Sequence, residues 1–177
     1  MFPAAQLLTT ARLVLTPLTP DDADDMVTVL ADPRMNEFTG GAPLALDELR
    51  ARYRALAVGL SADGTQRWCN WIVRLPGDQP VGVVQATVSV DGSAAAVAWE
   101  IGVPWHGRGF AAEAARAIVD WLVGMGVGDV SANIHPRHDA SAGIARRAGL
   151  APTDELVDGE VVWRRPIDRR PVPGTPR

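Results

Sequence analysis

Trp99-Glu100-Ile101-Gly102-Val103-Pro104-Trp105-His106-Gly107-Arg108-Gly109-Phe110-Ala111-Ala112-Glu113-Ala114 is the stretch that decides the fold. An apolar strand ends near Val103, a tight loop holds Gly107 and Gly109, and an alanine-rich helix begins. The first N–H groups of a helix have no internal partner, and the helix dipole places positive potential there. Gly107 and Gly109 lack a Cβ, so an anion can approach the main chain and φ > 0 is open to the loop. The residues describe a cradle for a pyrophosphate.

The same glycines fit two other readings. Gly107-x-Gly109-x-x-Ala112 matches the dinucleotide fingerprint, with Asp129 about 20 residues further on. That fingerprint normally opens its domain, whereas this one lies past the middle of the chain, after residues that read as antiparallel hairpins. The plainer alternative is a strand-to-helix turn that binds nothing.

Working outward, Arg12-Leu13-Val14-Leu15-Thr16-Pro17-Leu18 alternates as a first strand, after a loose lead-in over 1–11. Thr19-Pro20-Asp21-Asp22 opens a helix, with a capping threonine, a proline suited to the first turn and acids that complement the dipole. That helix ends before Pro33, and a loop with Gly40-Gly41 follows. A second helix is expected over 44–60, with Leu46, Leu49, Tyr53, Leu56 and Leu60 at helical spacing. The face carrying Arg50, Arg52 and Arg54 reads as solvated, or as a lure for an acidic substrate. Arg67–Leu75, Val81–Val90 and Ala94–Gly102 form an antiparallel meander, with Asp91-Gly92 marking its second hairpin. The helix after the glycine loop, about 109–125, lays Ala111, Ala114, Ala115, Ile118, Leu122 and Met125 on one face. Asp129–Ile134 returns as a parallel strand, giving one right-handed crossover. His138–Arg147 is a short helix closed by Gly149. Leu150–Val157 and Val161–Arg165 make a last hairpin. Residues 1–165 thus read as one α+β domain, and 166–177 as a flexible Pro/Arg-rich tail.

Composition narrows the function classes. The chain has 177 residues, enough for one substantial core. The net charge of −4 gives no general attraction to nucleic acid. All 17 basic residues are arginine, which excludes a P-loop lysine and lysine Schiff-base chemistry. No run is apolar enough to span a membrane, and the single cysteine, Cys69, lies in an apolar strand as a core residue. A cytoplasmic protein is the expectation.

The stretch Pro104-Trp105-His106-Gly107-Arg108-Gly109 resembles the acyl-CoA loop of the GNAT acyltransferase superfamily, Q/R-x-x-G-x-G/A, with Pro104 in place of Gln or Arg. Trp105 through Ala114 is most similar to the ribosomal-protein N-acetyltransferase-like branch. The resemblance spans roughly residues 12–165 and implies a GNAT fold: a mixed central sheet, an antiparallel meander plus one βαβ crossover, flanked by helices. It implies acetyl-CoA as cosubstrate and a primary amine as acceptor (a protein N-terminus or a small molecule); a homodimer is compatible with it. No metal is expected, since His135 and His138 are spaced across a proline loop without a third ligand. The cofactor contacts it implies are Ile101, Val103, His106, Gly107, Arg108, Gly109, Phe110 and Ala111. A second motif, His138 to Leu150, resembles N-x-x-S-x-x-(V/I)-x-x-K-x-G-(F/L). Ser141, Ile144, Arg147 and Gly149 align, and His138 stands where Asn is usual. This adds His138, Ser141 and Arg147 to the cofactor contacts. His138 and Ser141 can also be read as helix caps.

Acetyl transfer needs a neutral amine, a donor for the thioester oxygen and a proton for the leaving thiolate. Glu100 interrupts the apolar strand Val97-Ala98-Trp99-Glu100-Ile101 just before the loop and is the expected base; an outward-pointing or merely substrate-holding carboxylate is its alternative. The oxyanion donor is expected among the N–H groups of 101–103. The superfamily's usual tyrosine acid is missing, since the only tyrosine is Tyr53. Ser141 takes its place by position. Glu113 is read as ordering the loop. The acceptor pocket is expected between residues 34–60 and the terminal hairpin, lined from the sheet by Asn70, Trp71, Gln85 and Trp99. A non-catalytic acyl-CoA-binding module would keep the loop and need no Glu100.

Overall fold

The structure is a computed structural model that describes residues 2–166. The expected tail lies outside the described residues, apart from Pro166. Eight strands form one sheet: β1 (Leu8–Thr9), β2 (Val14–Pro17), β3 (Gln66–Arg74), β4 (Pro80–Ser89), β5 (Ala94–Ile101), β6 (Asp129–Ile134), β7 (Ala151–Val157) and β8 (Glu160–Arg164). Their order is β1-β2-β3-β4-β5-β6-β8-β7. Only β5 and β6 pair in parallel. The helices are α1 (Ala23–Val29), α2 (Leu46–Ala57), α3 (Phe110–Gly124) and α4 (Asp139–Arg147).

Strand alternation divides the core into two layers. Leu15, Trp71, Val73, Val84, Val97 and Ile101 point to one face and pack with Ala114, Ala115, Ile118 and Leu122 of α3. Ile72 points to the other face and packs with Met26 and Val29 of α1 and Leu49 and Tyr53 of α2. The alanines of α3 let the helix lie close to the sheet, as their spacing predicts. Met125 departs from that stripe. It lies just past the last turn and is 45% exposed, while Val119 and Trp121 take up buried positions.

The lead-in is not loose. Phe2 is buried, Leu8–Thr9 pairs with β2, and the Gln6 carbonyl accepts a hydrogen bond of 2.7 Å from the Trp71 indole. The predicted second helix is also too long. It ends at Ala57, and Leu60 forms a bridge with Arg67 instead. Gly59, at φ +73, turns the chain between them.

Two features of the meander position the site. Gly82 faces Ile101 across β4 and β5, and a Cβ there would lie 2.3 Å from the Glu100 carbonyl oxygen. The parallel ladder between β5 and β6 then stops early: it pairs Ala94–Ala96 with Asp129–Ser131 and no further. Beyond it, Val97–Ile101 and Ala132–His135 line opposite walls of a cleft. Gly82→Ala should cost about 1–3 kcal/mol through overpacking. The expected readout is a lower denaturant midpoint with an unchanged m-value.

Candidate active site

The glycine loop takes the backbone conformation that its residues allow. Gly107 and Gly109 adopt φ +74 and +80, which L side chains rarely reach. Gly109 is the N-cap of α3 and offers no capping side chain. Among the described residues, the N–H groups of 107–112 meet no protein acceptor. Six donors at a helix N-terminus suit the oxygens of a pyrophosphate. Arg147, exposed in the last turn of α4, lines the same cavity.

A clamp from the other end of the chain holds the loop. The Glu113 carboxylate accepts from the Thr10 hydroxyl at 2.6 Å, the Arg12 N–H at 2.9 Å and Arg12 Nε at 2.7 Å. The Arg12 guanidinium also donates to the Arg108 carbonyl at 3.0 Å and lies 4.9 Å from the Phe110 ring centroid. His106 donates from Nε2 to the Ile101 carbonyl at 2.6 Å, tying the loop to the end of β5. Sequence reading missed Arg12 because it opens an ordinary alternating strand; its partner lies 101 positions away.

The cleft between β5 and β6 has a volume of about 570 Å³. Ile101, Val103, His106, Gly107, Gly109, Phe110, Ala111, His138, Ser141 and Arg147 all line it. Arg108 does not; its structural contribution is the carbonyl that Arg12 holds. The Ala95 carbonyl accepts from the Ser131 hydroxyl on β6 at 3.5 Å. By alternation, the N–H groups of Val97, Trp99 and Ile101 face the same side, where β6 has diverged. Val103 N–H makes no hydrogen bond among the described residues.

Across the cleft, Trp99 Nε1 donates to Ser141 Oγ at 3.1 Å. The indole occupies a lone pair of the serine and leaves its O–H free. His138 is the N-cap of α4, yet its side chain makes no capping bond. Its ring stacks on Phe38, with centroids 4.2 Å apart and planes 16° from parallel. Burial is the main reason its imidazole pKa falls below the ordinary value, which favours the neutral ring. Phe38 also contacts His135, so the loop before α2 reaches across the cleft to α4. No local sequence pattern marks this contact.

Glu100 faces the α1–α2 side of the sheet, directly opposite Val83. It lines the large cleft and a second cavity of about 270 Å³, and Gln85 lines both as well. The smaller cavity is walled by α1, α2 and the loop 35–44. The terminal hairpin adds only Glu160, and that to the larger cleft. Asn70 and Trp71 line neither cavity, which corrects the expectation for both. Trp71 points to the α3 face, packs edge-on against Trp121 and is fully buried. Asn70 pairs with Gln85 across the ladder but is buried under the α2 side, 6% exposed. The aromatic and amide types had suggested ligands, but their strand is central and covered on both faces. Cys69 is likewise buried, and its thiol is pushed up to about 11 by desolvation.

The family model for the acetyltransferase (GNAT) domain matches residues 12–151. The chain belongs to the GNAT acetyltransferase family. Solved structures share this GNAT fold. An acetyltransferase from Agrobacterium tumefaciens superimposes with a TM-score of 0.70 at 23% identity, covering 93% of this chain and 96% of that one. The ribosomal L7/L12 α-N-protein acetyltransferase RimL, in complex with coenzyme A, gives 0.74 at 13% identity, with 92% and 99% covered. The aminoglycoside acetyltransferase AAC(6')-Ib, solved with paromomycin and acetyl-CoA, gives 0.71 at 20% identity, with 86% and 91% covered. A search of curated sequences finds no match. The GNAT layout removes the dinucleotide alternative: an antiparallel meander, not a doubly wound parallel sheet, leads into the glycine loop.

The clamp on the GNAT loop has a pH signature. Burial raises the Glu113 pKa, but hydrogen bonds from Thr10 and Arg12 outweigh it and leave the carboxyl below its ordinary value. A depressed carboxylate stabilises the fold fully above its unfolded pKa of about 4.3, and this is lost as pH falls through the lower folded value. Glu113→Gln should therefore cost about 1–3 kcal/mol at pH 7. The difference from the parent should shrink as pH drops below about 4, as urea unfolding curves across pH would show.

Proposed function

We propose that this GNAT protein transfers the acetyl group of acetyl-CoA to a primary amine in a ternary complex. The observation that carries this reading is Glu100, placed where the thioester cleft and the smaller cavity meet. The loop 107–112 would receive the pyrophosphate, with Arg147 beside it. The pantetheine arm would lie between the diverging strands, where backbone groups of β5 have no β6 partner.

The chemistry follows from this placement. The acceptor enters from the α1–α2 side, and its nitrogen meets Glu100 directly or through one water. Glu100 takes the proton, which matters because a free α-amine has a pKa of about 8 and a lysine amine about 10.4. The nitrogen then bonds to the acetyl carbon. Charge builds on the carbonyl oxygen, for which the Ile101 and Val103 N–H groups are the candidate main-chain donors; the Gly102 N–H is taken by the Val81 carbonyl at 2.8 Å. The carbon–sulfur bond breaks. The nitrogen gives its second proton to water, and water beside the Ser141 O–H, which hydrogen-bonds the departing sulfur, returns one proton to the thiolate. The small cavity favours a small amine or the end of a peptide; RimL and AAC(6')-Ib illustrate both acceptor types on this fold. A homodimer, a cytoplasmic location and a single-domain chain complete the proposal.

Glu100→Gln should lower kcat by about 10²–10⁴ with acetyl-CoA affinity retained, measured as free thiol release beside a thermal-shift titration. A binding module without catalysis would show the shift and no turnover in the parent. Gly107→Glu puts a side chain and a negative charge into the cradle at positive φ. It should abolish the thermal shift with acetyl-CoA and CoA while circular dichroism stays native. A parent protein that acetyl-CoA and CoA leave unshifted would sink the proposal.

A further inference from the structure

The smaller cavity is electrically asymmetric. The stripe that α2 turns toward it is Leu49, Arg52, Tyr53 and Leu56, the i, i+3, i+4, i+7 spacing of a helix face. Apolar side chains are expected along such a stripe, and Arg52 breaks it. The neighbouring arginines behave differently. Arg50 is engaged by Asp24 at 2.6 Å and by Asp47 at 3.5 Å. Arg54 is exposed and lines neither cavity. Arg52 lines the cavity, remains reachable from solvent, and makes no ion pair among the described residues.

The other charge on the cavity wall is Glu100. The wall also carries Val27, Leu30, Leu56 and Val83. Tyr53 records the fields of both: Glu100 raises its phenol pKa and Arg52 lowers it, beneath a larger effect of burial. At about 270 Å³ the space equals roughly nine water volumes of ~30 Å³. A small molecule with a cation at one end, an anion at the other and an apolar body would match this wall. A polycation would meet Arg52 unfavourably.

We propose that the acceptor is a small amine bearing an acid group at its far end, with the acid on Arg52 and the nitrogen on Glu100. This rests on the acetyl-transfer reading and adds the substrate class to it. Arg52 takes no part in the bond changes; it sets which amine is held at Glu100.

The test is thiol release from acetyl-CoA with a ladder of ω-amino carboxylates of increasing length, plus leucine. Each is matched to its carboxamide and to a diamine of equal length. For the best chain length, kcat/KM should favour the acid over the amide by about tenfold, a difference of ~1.4 kcal/mol. Arg52→Gln should bring that ratio to about one, and Arg52→Glu should turn it in favour of the diamine. Arg54→Gln should leave it unchanged. Equal use of acid and amide by the parent, or an acid preference that survives Arg52→Glu, would overturn this inference alone. No turnover of any amine, with the acetyl-CoA thermal shift intact, would overturn the acetyl-transfer reading and this inference together.

Discussion

The parallel ladder between β5 and β6 is the constraint on which the rest of the site depends. It closes only from Ala94 to Ala96 on β5. Ladders are normally completed because an unpaired backbone group away from water is costly. Here the cleft walls are left unpaired from Val97 onward, and the surrounding structure holds them apart. Trp99 bridges to Ser141 on α4, and His106 occupies the Ile101 carbonyl. On its other side β5 pairs with β4 without a break from Ala95 to Ile101, so it cannot relax toward β6 without losing that pairing. The opening is thus a property of the whole sheet rather than of its lining residues.

The Arg12–Glu113 clamp plays the matching part for the glycine loop. A loop whose N–H groups meet no protein acceptor among the described residues has few bonds of its own to fix it. Arg12 supplies them from the edge of the sheet, through Glu113, the Arg108 carbonyl and the Phe110 ring. Glu113 has 18% side-chain exposure and Arg12 52%, so only the carboxylate side of this ion pair is shielded from solvent. The first residues of the chain therefore act on the glycine loop, and their packing under Trp71 is part of the same arrangement.

How much of this the sequence disclosed follows from the range of the interactions. The meander, the crossover, the glycine loop and Gly149 were legible because their signals are local: alternation, Asp-Gly, paired glycines, a helix closed by Gly. The lead-in was misread because Leu8–Thr9 is too short to show a period, and its order comes from Trp71, more than sixty residues away. Trp71 and Asn70 were misassigned for a related reason. Residue type suggested ligands, but the face each side chain takes depends on register, which one strand alone does not reveal. Phe38 on His138 is a contact between distant elements with no local pattern.

Register also explains how neighbouring residues can serve opposite ends of one reaction. Trp99 and Glu100 are adjacent, so the pleat sends them to opposite faces of β5. Trp99 goes to the α3–α4 side, where it holds Ser141, and Glu100 goes to the α1–α2 side. In the proposed reaction the nucleophile and the leaving group also lie on opposite sides of the acetyl carbon. A base facing one cavity and a hydroxyl facing the other would serve both without competing for the same proton. The separation requires a strand whose partner has diverged, since only then can one substrate lie through the plane of the sheet. A glutamate moved one residue along β5 would keep its charge and lose this side of the sheet, so the strand's alternation, as much as the carboxylate, defines the site.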